Sequence, residues 1–228
     1  MAWRNDQVSR KETEEIARIA KEQLEVEGDF VEMGCYKGDT SLVLAEILRE
    51  GGLTSGEPVE NSVENFEEKQ WKSGEKSWVE PKKKKLWIYD SFEGLPEKTE
   101  KDQSALGEDF QAGELLASRK ELKKRFLRAN LPVPIIRKGW FNELGEEDLP
   151  SVISLAFLDG DLYESIRDSL RLVTKKMAEG GVILVHDYTN LALPGVKEAV
   201  EEWNKEGEHR LRVIESMVEI SGSKGRKS

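Results

Sequence analysis

Residues 152–161 read Val152-Ile-Ser-Leu-Ala-Phe-Leu158 followed by Asp159-Gly160-Asp161. A nearly continuous apolar run of this length, closed by a polar turn, is the pattern of a parallel β-strand buried on both faces. A second such run, Val182-Ile-Leu-Val185, ends in His186-Asp187. Between them Ile166, Leu170, Val173 and Met177 recur at helical spacing, and Gly180-Gly181 is expected to break that helix. Strand, helix, strand is the repeating unit of an α/β sheet whose crossovers are right-handed.

The same alternation extends towards the N-terminus. Ser9-Arg-Lys-Glu12 has the spacing of a capping box, and Ile16, Ile19, Ala20 and Leu24 continue it as an amphipathic helix. Phe30–Met33 reads as a strand, Gly34 to Gly38 as a tight turn and Thr40–Arg49 as a helix. Leu86–Tyr89 reads as a strand ending at Asp90. Ser118-Arg-Lys-Glu121 has capping-box spacing and opens a basic helix to about Asn130. Ile135-Ile136 forms a short strand ending at Gly139. Val196, Ala199, Val200 and Trp203 mark a further helix, and residues 211–220 supply two short terminal strands. No internal repeat is visible.

One domain over residues 1–221 accommodates these elements, with a frayed tail over 222–228. A polar segment over 54–81 interrupts them, rich in Glu, Lys and Ser. It reads as a solvated insertion, or as a partner-binding arm anchored by Trp71 and Trp78. The Lys82–Lys85 run that follows reads as solvation or, alternatively, as a polyanion patch.

Charge and cysteine usage exclude several functions. The 228 residues carry 45 acidic against 35 basic side chains, a net charge of −10 that repels phosphate backbones, so nucleic acid is not expected as a partner. One cysteine, Cys35, forms no internal disulfide, and with two histidines it cannot build a zinc cluster. No apolar leader or membrane-length run is present, so a soluble cytoplasmic protein is expected. Hydrophobic residues at 37% suffice for a sizeable core.

Ligands of open α/β sheets sit beyond the carboxyl ends of the strands. Those ends are Glu32-Met-Gly34, Asp90-Ser91, Gly139-Trp140, Asp159-Gly-Asp161 and His186-Asp187. Four of the five carry an acid, more than chance placement supplies. The spacing of Gly34 and Gly38 is not a dinucleotide fingerprint, but a glycine turn leading into a helix N-terminus suits a carboxylate or phosphate. Asp90 is placed to accept hydrogen bonds from ribose hydroxyls, or to cap its own turn. Its distance from Gly34 exceeds the usual ~20 residues because of the insertion. Asp159, Asp161 and Asp187 would offer hard oxygen ligands to Mg²⁺ if their strands are neighbours, although Asp-Gly-Asp is also a common plain turn.

Four motifs in this order, GDFVEMGCYKGDTS, IYDSFEGLP, LAFLDGDLYES and GGVILVHDY, resemble the macrocin O-methyltransferase family, S-adenosylmethionine-dependent enzymes that methylate sugar hydroxyls of macrolide and aminocoumarin antibiotics. The resemblance spans roughly Gly28 to Trp203 without the insertion. It implies a Rossmann-like class I methyltransferase: a seven-stranded, mostly parallel sheet with an antiparallel last strand and helices on both faces. It further implies that Glu32, Gly34, Gly38 and Ser41 line the methionine end of the cofactor, Asp90 and Ser91 hold its ribose, and Gly139-Trp140 border the adenine. Asp159 and Asp187 would hold Mg²⁺, and Asp161 would be the general base acting on a small-molecule hydroxyl.

One departure matters. The family commonly has Asp-Asp-Tyr where this chain has His186-Asp187-Tyr188. An imidazole makes the site less anionic. Another divalent ion with His186 among its ligands, or metal-independent catalysis with His186 as base, stands as the alternative. A nicotinamide oxidoreductase and a non-catalytic S-adenosylmethionine-binding protein are the remaining readings, and the tryptophans permit a homodimer.

Overall fold

The computed structural model describes residues 7–51, 83–106, 110–207 and 209–223. The 54–81 insertion, with Trp71 and Trp78, lies outside them, as do Lys82 and residues 224–228. Among the described residues seven strands form one sheet. They are β1 (Asp29–Met33), β2 (Leu86–Asp90), β3 (Ile135–Lys138), β4 (Ile153–Leu158), β5 (Met177–Val185), β6 (His209–Ile214) and β7 (Met217–Ser223). The order across the sheet is β3-β2-β1-β4-β5-β7-β6. Pairs among β1 to β5 are parallel, and β7 runs antiparallel to both β5 and β6. Gly222 and Ser223, assigned to a frayed tail from the sequence, belong to β7.

Among the described residues five α-helices cover the sheet: α1 (Arg10–Glu22), α2 (Asp39–Glu50), α3 (Arg119–Arg128), α4 (Tyr163–Val173) and α5 (Pro194–Gly207). Successive side chains of a strand point to opposite faces. In β4, Leu155 and Phe157 accordingly pack with Ile16, Leu44 and Phe126 under α1 to α3, while Ala156 and Leu158 pack with Ile166, Leu170 and Val200 under α4 and α5. All six residues of β4 are buried, which explains why its sequence is apolar without alternation.

The capping box of α1 forms in full, Ser9 and Glu12 each accepting the other's backbone amide. At α3 only half of it forms. Ser118 accepts from Glu121, whose carboxylate pairs with Lys124 instead.

The helix expected to reach Met177 stops at Val173. The Thr174 hydroxyl donates to the Leu170 carbonyl (2.6 Å), a short 3₁₀ turn follows, and Met177 opens β5 opposite Ile153. Gly180-Gly181 therefore sits inside a strand, where Gly180 adopts φ +80° and the β4–β5 register shifts.

Lys84 is neither solvating nor available to a polyanion. It is buried, donating to the carbonyls of Val26 and Gly28 and to the Ser154 hydroxyl (3.1 Å).

Candidate active site

The backbone ladder continues one residue past β1, β3, β4 and β5. Gly34 donates to Tyr89, Asp159 to Met33, His186 to Leu158 and Gly139 to Asp90, at 2.8–3.0 Å. The strand ends therefore finish level with one another on one edge of the sheet, where the order reverses between β1 and β4. Gly34 has φ +89°, and a Cβ there would overlap the Asp159 carbonyl oxygen, so this turn requires glycine. Tyr36, Phe92, Asp161 and Asp187 also have positive φ, placing four left-handed non-glycine residues at the same strand-end turns.

These turns surround a cavity of about 320 Å³. Gly34, Asp90, Ser91, Gly139, Trp140, Asp159, Asp161, His186 and Asp187 all line it. Glu32, Gly38 and Ser41 stand behind that wall. Gly38 is the N-cap of α2, and the Ser41 hydroxyl donates to the Glu32 carboxylate. Burial, together with Asp159, Asp90 and Asp39, pushes the Glu32 pKa up to about 8, against the Ser41 hydrogen bond.

The Asp90 carboxylate ties two turns together. Its Oδ2 accepts from the amides of Cys35 (3.0 Å) and Tyr36 (3.3 Å), and its Oδ1 from the amide of Phe92 (2.7 Å). The turn-capping and cavity-lining readings of Asp90 thus hold at once.

The other end of the cavity holds the densest charge. His186 Nδ1 lies 2.9 Å from Asp159 Oδ1 and 3.1 Å from Asp187 Oδ2. Burial opposes the charge of this imidazole, but Asp159, Asp187 and Glu12 outweigh it and hold its pKa well above the ordinary value. Among the described residues nothing hydrogen-bonds the Asp161 carboxylate. Burial and the neighbouring Asp159 and Asp187 raise its pKa well above the usual carboxylate range.

Asp159, His186 and Asp187 place one donor atom each within 4.8 Å of one another. Two carboxylates and an imidazole nitrogen at this spacing fit a divalent cation, on condition that Nδ1 gives up its proton. The described lining also includes Glu143, Glu164 and Asp168 but no lysine or arginine. An anionic cavity of this kind fits a ligand carrying positive charge and disfavours a dinucleotide pyrophosphate.

Several contributors were not singled out from sequence. Leu95, Leu115 and Phe141 give the cavity apolar wall, and Gln7 brings the N-terminal segment to it. Asp102 is buried beneath the site, its Oδ1 accepting from the Tyr163 amide (2.7 Å) at the start of α4 and its Oδ2 from the Thr99 amide and hydroxyl. No local pattern announces that role, because the partners lie far apart in the chain.

The family profile described as Macrocin-O-methyltransferase (TylF) matches residues 77–221. The 8-demethyl-8-(2,3-dimethoxy-alpha-L-rhamnosyl)-tetracenomycin-C 4'-O-methyltransferase of Streptomyces olivaceus is 26% identical over 204 residues, covering 87% of this chain and 64% of that protein. The demethyldecarbamoylnovobiocin O-methyltransferase of Streptomyces niveus is 26% identical over 191 residues, covering 78% of this chain and 58% of that protein. The chain thus spans about three-fifths of the length of these curated relatives.

Among solved structures, the O-methyltransferase NovP superposes with a TM-score of 0.71 at 24% identity, covering 94% of this chain and 80% of its own. The O-methyltransferase from Bacillus cereus in complex with SAH superposes with a TM-score of 0.56 at 13% identity, covering 94% and 82%. At these identities the likeness is one of fold. No helix among the described residues is long and apolar enough to cross a membrane.

Proposed function

The chain belongs to the macrocin O-methyltransferase family, and from that premise we propose that it transfers a methyl group from S-adenosylmethionine to a hydroxyl of a small molecule, a sugar or similar natural-product acceptor. The observation that carries this reading is the convergence of Gly34, Asp90, Asp159, Asp161 and Asp187, from four different strand ends, on one anionic cavity. The names of the relatives support a sugar-bearing acceptor.

The cofactor, when bound, supplies an already activated methyl group on a sulfonium, so the protein's tasks are alignment and deprotonation of the acceptor. The Gly34 turn lets the ligand approach the backbone. Asp90 and Ser91 would hold its ribose and Gly139 and Trp140 would border its adenine, while Glu32, Gly38 and Ser41 support this wall from behind. Asp161 takes the proton of the acceptor hydroxyl. Its raised pKa makes the carboxylate a stronger base, and it has no hydrogen-bond partner among the described residues to compete for its lone pairs. Asp159, Asp187 and His186 Nδ1 would hold a divalent cation, which would supply positive charge beside the developing oxyanion.

The alternative of metal-independent catalysis with His186 as base is disfavoured by its contacts with both carboxylates, which hold the proton on the imidazole. Thermal shift with S-adenosylmethionine, S-adenosylhomocysteine and NAD tests the cofactor. Stabilisation by the first two supports the proposal, and stabilisation by NAD alone overturns it.

A further inference from the structure

Glu12 has the sequence position of an ordinary helix cap, and half of its carboxylate behaves as one. Oε2 accepts the Ser9 amide at 2.7 Å. Capping does not explain the rest. Glu12 is only 5% exposed, whereas a cap that contributes about 0.5–2 kcal/mol does not require burying a carboxylate. Its Oε1 accepts from the amide (3.3 Å) and hydroxyl of Ser216, 204 positions away in the turn between β6 and β7. The same oxygen stands 3.7 Å from His186 Nε2.

That nitrogen is buried and has no hydrogen-bond partner among the described residues. At 3.7 Å the Glu12 contact is electrostatic rather than a formed hydrogen bond. Catalytic hydrogen bonds are often long in the ligand-free enzyme and tighten in the complex. Burial would raise the Glu12 pKa, but its contacts with His186, Ser216 and Ser9 prevail and keep it well below the usual carboxylate range. Turning the ring over would point carbon atoms at all three carboxylates, so Glu12 on one side and Asp159 and Asp187 on the other select a single orientation.

We propose that Glu12 is a positioning residue of the active site, acting through His186 Nε2 to keep Nδ1 presented to Asp159 and Asp187. The chemical role of His186 rests on the methyl-transfer reading; its orientation by Glu12 does not. Outer-shell partners of a metal-ligating histidine typically contribute 10–100-fold in metal affinity or activity.

The sequence contains only two histidines, His186 and His209, so ring ¹⁵N resonances of the full chain are assignable with a His209→Gln variant. Glu12→Gln is expected to shift both ring nitrogens of His186 and leave those of His209 in place. Ser216→Ala removes a hydrogen bond to Glu12 but keeps its charge beside His186, and is expected to shift them much less. In turnover, Glu12→Gln lowers kcat by about 10–100-fold while acceptor KM and S-adenosylhomocysteine affinity hold.

If Glu12→Gln does not fold, Glu12→Asp, which keeps the charge and shortens its reach, is read the same way. Unmoved His186 nitrogens in a folded Glu12 variant, or equal shifts in Ser216→Ala, would reduce Glu12 to a structural cap. Absence of methyl transfer in the wild type would overturn the proposed activity and leave the resonance result to decide Glu12.

Discussion

Asp159 Oδ1 and His186 Nδ1 lie 2.9 Å apart at the ends of adjacent parallel strands, and Asp187 Oδ2 reaches the same nitrogen at 3.1 Å. The registration of β4 against β5, Leu158 opposite Val185, brings the three groups together. A cation held by them is expected to be removable. Treatment with EDTA should suppress turnover and leave S-adenosylhomocysteine affinity unchanged, and added divalent ions should restore activity. Full turnover in EDTA would remove the cation from the mechanism.

Glu32 makes stability depend on pH. A carboxyl whose pKa is about 8 folded and 4.5 unfolded favours the folded state fully below pH 4.5 and loses that contribution as pH rises towards 8. At about 1.4 kcal/mol per pKa unit, the loss between pH 5 and pH 7.5 is on the order of 3 kcal/mol. Glu32→Gln, which still accepts from Ser41, lacks this dependence. Melting curves across pH should show the variant gaining on the wild type as pH rises. A constant gap between them would contradict the assignment.

Asp102→Ala strips acceptors from the buried Tyr163 amide and from Thr99. Each unsatisfied buried group costs about 1–3 kcal/mol, so a loss of roughly 2–4 kcal/mol is expected in denaturant unfolding. A loss within about 0.5 kcal/mol, the level of an ordinary surface change, would contradict the role of Asp102 as an anchor for α4.

Gly34→Ala forces a side chain against the Asp159 carbonyl at a positive φ. Adjustment there must separate the ends of β1 and β4, so S-adenosylhomocysteine affinity should fall by more than about tenfold, equivalent to 1.4 kcal/mol, while far-ultraviolet circular dichroism stays native. Unchanged affinity would remove the Gly34 turn from the cofactor site.

Features set by near neighbours in the chain were legible from sequence. The two apolar runs marked β4 and β5, and their polar ends supplied Asp159, Asp161, His186 and Asp187. Met177 was misplaced because its helical spacing from Val173 is fortuitous. A glycine pair read as a helix breaker also serves as a bulge within a strand. Lys84, Asp102 and Glu12 were hidden for a different reason: each is buried by partners distant in sequence, and a lysine in a basic run or a glutamate in a capping box looks the same whether solvated or enclosed. Convergence of the strand ends required the strand order, which no single motif encodes.

The most direct test follows an isotope-labelled methyl group from S-adenosylmethionine onto a glycoside acceptor, in the wild type and in Asp161→Asn. The account predicts that both proteins bind the cofactor equally, and that label reaches the acceptor hydroxyl in the wild type at a rate about 10²–10⁴ times that of the variant. Transfer at the wild-type rate by Asp161→Asn would contradict it.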